Sequence, residues 1–252
     1  MKQFLALILL LSATLPGLAD HHLENRVYEL RTYYANEGKL EALHARFRDH
    51  TCSIFEKHGI KNVGYWVPVE NKGNKLIYLV SYPSRKARER SWQAFFQDPS
   101  WTAAYKNSIK DGKLVSKVTR QFLKATDYSP KLNIEAQKPE RLFELRTYTT
   151  NEGKLVDINK RFRDHTCKLF TKHGITNVLY CNHMKDEKGA ATTLTYLIAH
   201  KDQESRNASF AAFVKDPAWQ AVRKVSNKNG PILVKKGVKS VQLRAVDYSP
   251  LK

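Results

Sequence analysis

Arg46-Phe47-Arg48-Asp49-His50-Thr51-Cys52 returns unchanged as Arg161-Phe162-Arg163-Asp164-His165-Thr166-Cys167. Upstream, Tyr28-Glu29-Leu30-Arg31-Thr32-Tyr33 returns as Phe143-Glu144-Leu145-Arg146-Thr147-Tyr148, and Asn36-Glu37-Gly38-Lys39-Leu40 as Asn151-Glu152-Gly153-Lys154-Leu155. Downstream, Lys57-His58-Gly59-Ile60 returns as Lys172-His173-Gly174-Ile175, all at an offset of 115 residues. The offset becomes 118 at Asp98-Pro99-Ser100-Trp101 against Asp216-Pro217-Ala218-Trp219, and 120 at Asp127-Tyr128-Ser129-Pro130 against Asp247-Tyr248-Ser249-Pro250. Each step falls where a loop is expected, so the chain is two copies of one domain. Their expected bounds are 24–130 and 141–250, joined by a linker over 131–140.

One copy reads as follows. Arg26 to Tyr34 alternates and is rich in Val, Tyr and Thr, which predicts a strand. Tyr28, Leu30 and Thr32 face one side; Glu29, Arg31 and Tyr33 face the other. Asn36 is the expected N-cap of a helix to about Lys57, with Leu40, Leu43, Phe47, Ile54 and His58 as its apolar stripe and Gly59 as its stop. Strands follow at Lys61–Val69 and Lys75–Tyr82, around an Asn-Lys-Gly-Asn turn. Ser84 begins a second helix, and Asp98-Pro99 restarts one with Asp as cap and Pro in its first turn. A fourth strand covers Val115 to Lys124. The order β-α-β-β-α-β is ferredoxin-like. The predicted fold is therefore α+β: two tandem ferredoxin-like repeats whose sheets close face to face into an intramolecular α/β barrel, a monomer containing its own pseudo-dimer.

The strand motif, the Arg-Phe-Arg-Asp-His-Thr helix motif, His58-Gly59-Ile60 and the Trp-rich second helix occur in order, twice, and resemble the NIPSNAP family. The resemblance covers nearly the whole chain after the N-terminus. It implies the dimeric α/β barrel fold, a superfamily that includes cofactor-free monooxygenases, haem-binding enzymes and stress proteins. It therefore implies fold far more sharply than function. Eukaryotic relatives are associated with mitochondria and adaptor roles; this chain departs from them in its N-terminus.

That N-terminus reads as a signal peptide over 1–19. Lys2 is the charged region, Phe4 to Leu11 an apolar run too short to span a bilayer, and Gly17-Leu18-Ala19 the cleavage pattern. The expected location is secreted or periplasmic. Cleavage there would leave Asp20-His21-His22 as an amino-terminal set able to chelate Cu(II) or Ni(II). The net charge of +19 and pI near 9.8 favour anionic partners, yet the basic residues are dispersed without a block of five. Export argues against nucleic acid as the partner. Cys52, Cys167 and Cys181 are an odd count. They read as small buried residues, with a Cys167–Cys181 bridge as the alternative.

His50 and His165 are the candidate catalytic residues. At 100° per residue each sits on the flank of the helix's apolar stripe, near the helix–sheet boundary, where a histidine could bind a ligand, act as a base or ligate haem iron. No other cofactor is expected. Glu29, Arg31 and Arg46, with Glu144, Arg146 and Arg161, are the candidate ligand-binding residues: either structural ion pairs or an anion grip, on a face that is lumen or helix-covered. His58 and His173 are expected to satisfy carbonyls at a helix end. Asp49 and Asp164 are expected in solvent. Trp92, Phe95, Phe96 and Trp101 read as core filler. There is no Gly-rich phosphate loop, HExxH or GxSxG. The leading reading is a protein that holds a small anionic or aromatic ligand, or a protein partner, without established catalysis. The alternatives are an oxygenase-type barrel enzyme using His50 or His165, and a basic scaffold for anionic polymer or a membrane surface.

Overall fold

The computed structural model describes residues 26–252. The expected signal peptide and the Asp20-His21-His22 chelate lie outside the described residues.

The first repeat runs β1 (Val27–Ala35), α1 (Leu40–Arg46), a π-helical turn (Phe47–Thr51), α2 (Cys52–Lys57), β2 (Lys61–Pro68), β3 (Lys75–Tyr82), α3 (Arg85–Gln97), α4 (Pro99–Ser108) and β4 (Val115–Ala125). The second runs β5 (Leu142–Thr150), α5 (Leu155–Arg161), a π turn (Phe162–Thr166), α6 (Cys167–Lys172), β6 (Thr176–His183), β7 (Thr193–His200), α7 (Gln203–Lys215), α8 (Pro217–Ser226) and β8 (Leu233–Ala245). The β-α-β-β-α-β order holds in both. No helix among the described residues is long and apolar enough to cross a membrane.

Local chemistry explains most boundaries. Ser84 Oγ accepts from the Ala87 N–H at 3.1 Å, and Asp98 accepts from the Ser100 N–H at 2.8 Å with Pro99 beginning the helix. Gly59 has φ +75°, and Ile60 N–H to Phe55 O with Gly59 N–H to Glu56 O closes a Schellman motif behind α2. Asn36 does not cap α1. Its side chain donates to the Lys113 carbonyl at 2.7 Å, as Asn151 does to Pro231 at 2.7 Å, and tight turns through Gly38 (φ +68°) and Gly153 (φ +72°) lead into the helices.

The strands form one closed barrel in the order β1-β3-β2-β8-β5-β7-β6-β4. Each repeat contributes four neighbours, and two short seams join them: Trp66–Pro68 against Leu243–Ala245, and Leu123–Ala125 against Cys181–His183. The Tyr28 and Leu30 face of β1 turns into the lumen, where Trp66, Leu79, Phe143, Leu179 and Leu243 meet from both repeats. That lumen is filled; the space left in it is about 20 Å³, room for about one water. Each sheet's outer face packs under its own helices in a separate aromatic core.

Candidate functional site

Glu29, Arg31 and Tyr33 sit on the outer, helix-covered face, as do Glu144, Arg146 and Tyr148. Glu29 is fully buried and accepts from Arg31 at 2.5 Å, from Tyr82 at 3.0 Å and from both ends of Arg88 at 3.0 and 3.2 Å. Trp92 Nε1 donates to the Tyr82 hydroxyl at 2.7 Å, and its ring lies 4.5 Å from the Arg31 guanidinium. Burial alone would raise the Glu29 pKa, but Arg88 and Arg31 outweigh it and hold the carboxyl below its ordinary value.

In the second repeat Glu144 is equally buried. It accepts from Arg146, from Arg206 at 2.7 and 3.3 Å and from Ser240 at 2.5 Å. His200 stands where Tyr82 stands in the first repeat, its Nε2 3.7 Å from Glu144, beyond hydrogen-bond reach. Burial of Glu144 is again outweighed, by the hydrogen bonds of Arg206 and Ser240 and the charge of Arg146, and the carboxyl lies well below the usual carboxylate range. Both glutamates are thus ionised keystones holding two arginines each. Arg88 and Arg206 escaped the sequence reading, although their recurrence at an offset of 118 residues was a visible signal.

Arg46 and Arg161 end α1 and α5, and each is only 6% exposed. Arg146 and Arg161 come together along the wall of one cleft of about 780 Å³ between the outer sheet face and the helices α5, α7 and α8. Tyr148, Phe210 and Trp219 supply ring surfaces, and Arg223 and Lys224 stand at its rim. Arg223 was not anticipated; its position is held by Tyr105 in the first repeat, so no repeat signal marks it. Glu144 lies behind Arg146 and does not line the cleft. Among the described residues the cleft lining contains no Asp, Glu, His or Cys.

His50 and His165 do not sit where the helical period places them. Both are exposed. A π turn carries more residues per turn than an α-helix, so its residues lose the 100° phase assumed for the stripe. Thr51 Oγ1 donates to the Arg46 carbonyl at 3.1 Å, and Thr166 Oγ1 to Arg161 at 3.2 Å, tying down a carbonyl five residues back in each copy. Within the repeated Arg-Phe-Arg-Asp-His-Thr-Cys motif, the recurrence of the threonine follows from this bond. With neither histidine lining it, the cleft offers haem iron no imidazole, and no group of three metal-ligating side chains exists among the described residues.

His58 and His173 sit at helix ends as expected, but their partners are side chains rather than carbonyls. His58 Nε2 meets Asp98 at 2.7 Å, and His173 meets Asp216 at 2.7 Å, with Lys57 and Lys172 on the same carboxylates. These contacts fasten α2 to the cap of α4, and α6 to that of α8. Asp49 is exposed, whereas Asp164 is half-buried and bonded to Lys160 at 2.5 Å. Trp92 and Phe95 are core; Phe96 is 59% exposed. The three cysteines are free: Cys181 is buried and the other two half-buried.

Two repeats closing one eight-stranded barrel, with helices outside and charged clusters beneath them, define a dimeric-type α/β barrel made within a single chain. The NIPSNAP family model matches residues 28–130 and again 143–250, and the chain belongs to the NIPSNAP family. It is 25% identical over 203 residues to the protein NipSnap homolog of Dictyostelium discoideum, spanning 78% of this chain and 79% of that one. A NIPSNAP family protein with unknown function from Agrobacterium tumefaciens str. C58 is 23% identical, with a TM-score of 0.39, covering 44% of this chain and 97% of its own. An anthrone oxidase-like protein shares the fold at a TM-score of 0.60 and 9% identity, over 88% of this chain and 92% of that one.

Proposed function

We propose that this is an exported binding protein of the NIPSNAP family that holds a small ligand in the cleft of its second repeat, without established catalysis. The observation that carries the reading is Arg161: a guanidinium nine-tenths buried in the wall of a 780 Å³ cleft, with no carboxylate paired to it among the described residues. A buried charge without a counter-ion is costly, and an acidic ligand would supply one.

The test is native mass spectrometry with an absorption spectrum on the chain purified from an exporting host. One bound organic molecule per chain, lost in Arg161→Ala, is the expected result. A chain that stays empty, and takes up nothing from host extract, would remove the proposal. The mass of the mature N-terminus reads export in the same experiment: a start at Asp20 supports it, and an uncleaved Met1 contradicts it.

A further inference from the structure

We infer, on the footing of the binding role proposed above, that the second repeat takes an anionic, ring-bearing ligand, its acid group between Arg161 and Arg223 and its ring beside Trp219, and that the first repeat has lost or never had such a site.

The first repeat serves as the internal comparison. Arg46 and Arg161 are equally buried, each gives Nη1 to a serine (Ser108 at 3.2 Å, Ser226 at 3.3 Å), and each keeps an unpartnered Nε. Their surroundings then differ. The Arg46 guanidinium lies 5.4 Å from the Trp101 ring and 5.6 Å from the Tyr105 ring. Two aromatic faces compensate a buried cation in part. Arg161 keeps one such face, Trp219 at 5.3 Å. The place of Tyr105 is taken by Arg223, so a ring is exchanged for a second positive charge.

That exchange is unfavourable in an empty cleft. Burial lowers the Arg161 pKa, Tyr148 and Tyr196 offset part of that, and the charge of Arg223 adds a smaller lowering. Among the described side chains, no carboxylate pairs with Arg161 or Arg223. Lys224 adds a third cation at the rim. A carboxylate, sulfonate or phosphate ester between two guanidiniums would supply the missing counter-charge.

The repeat differences also make room for a ring. Trp92 becomes Phe210, and Phe96 becomes Val214; both replacements line the cleft and both are smaller. The Phe210 and Trp219 surfaces give a planar ligand aromatic neighbours. Inorganic anion alone would satisfy the charges but leave these surfaces unused.

The test uses two fluorescent probes that share one ring skeleton: 8-anilino-1-naphthalenesulfonate, which is anionic, and N-phenyl-1-naphthylamine, which is neutral. The expected result is one anionic probe per chain, bound at least about tenfold more tightly than the neutral one. Energy transfer from Trp219 should disappear in Trp219→Phe. Arg223→Tyr, which installs the first repeat's residue at an exposed position, and Arg223→Gln should each weaken the anionic probe about tenfold and leave the neutral probe unchanged. Competition by phenyl phosphate, benzoate and inorganic phosphate then separates the acid types, with inorganic phosphate weakest. Equal affinity for both probes, still sensitive to Trp219→Phe, would overturn the anion selectivity while leaving the cleft as a ligand site. Absence of any Trp219-dependent signal would overturn both the selectivity and the binding role. A second probe per chain, lost in Trp101→Phe, would overturn the asymmetry between repeats.

Discussion

Arg48, in the first repeat's π turn, donates two hydrogen bonds of 2.5 and 2.8 Å to the carboxylate of Asp247, 199 residues later at the end of the second repeat. The reciprocal pair exists: Arg163 donates to Asp127 at 2.7 and 2.6 Å. Each repeat therefore finishes inside the other. Tyr248 packs against Phe47 and Tyr65, its hydroxyl 2.9 Å from His44 Nδ1, while the Tyr65 N–H donates to Ser249 at 2.9 Å. Tyr128 and Ser129 do the equivalent with Asn159 and Tyr180. The Asp-Tyr-Ser-Pro motif is a strap exchanged between repeats.

The strap's energy lies in its tyrosine rather than in its salt bridge. Arg48 and Asp247 are both largely exposed, and such pairs contribute about 0–1 kcal/mol. Asp247→Ala should cost under about 1 kcal/mol, whereas Tyr248→Ala should cost about 2 kcal/mol or more by emptying a ring site between repeats. Urea midpoints measure both. Because the strap crosses repeats, the loss in Tyr248→Ala should appear as one shifted transition; a new early transition confined to the first repeat would contradict the coupling.

The buried glutamates should dominate acid sensitivity. Glu29 and Glu144 have folded pKa values below their unfolded ones. Their stabilisation is thus complete above the unfolded pKa of about 4.3 and is lost as pH falls through the folded values. Asp98, held low by Lys57 and His58, and Asp216, held low by Lys172 and His173, act in the same window. Stability contributed by these carboxylates should hold from neutral pH down to about 5 and fall below about 4. Glu144→Gln, which leaves Arg146 and Arg206 uncompensated, should cost about 3–5 kcal/mol at neutral pH and flatten that acid slope. An unchanged slope would show that Glu144 binds its proton equally in the folded and unfolded chain, against the lowered pKa.

His50→Ala and His165→Ala should each change stability by less than about 0.5 kcal/mol, since both side chains are exposed. Probe binding in the second-repeat cleft should be unaffected by either. A loss of binding in His165→Ala would return that residue to the site.

The thiols should be slow. Burial pushes Cys52 up to about 12 and Cys167 up to about 11, and raises Cys181 as well. Thiolate is the reactive form, so at pH 8 Ellman's reagent should label the folded chain slowly and all three thiols on unfolding in urea. Fast labelling of one thiol without denaturant would contradict its burial.

Much of the architecture was legible because it is written in local chemistry. Gly59 at positive φ, the Ser84 cap and the Asp98-Pro99 restart each declare a boundary within a few residues of chain. The duplication is declared by identity alone, and barrel closure follows because one four-stranded sheet under helices leaves an apolar face bare. The charges of β1 and α1 were legible as a group: Glu29, Arg31 and Arg46 are buried, and of their repeat-mates Arg146 and Arg161 line the cleft. His50 and His165 misled because the regular helical period does not survive a π turn.

By itself, then, the sequence determined the repeat, the order of elements and the caps at Ser84 and Asp98, all matters of short-range geometry. Tertiary structure decided which face of β1 becomes lumen, since both faces carry apolar residues and only pairing of two sheets makes one of them interior. It decided the strap, whose partners are brought together across 199 residues. It also decided that the cleft opens beside Arg161, because the exchange of Tyr105 for Arg223 acquires meaning only when α8 is laid against α5 and the sheet.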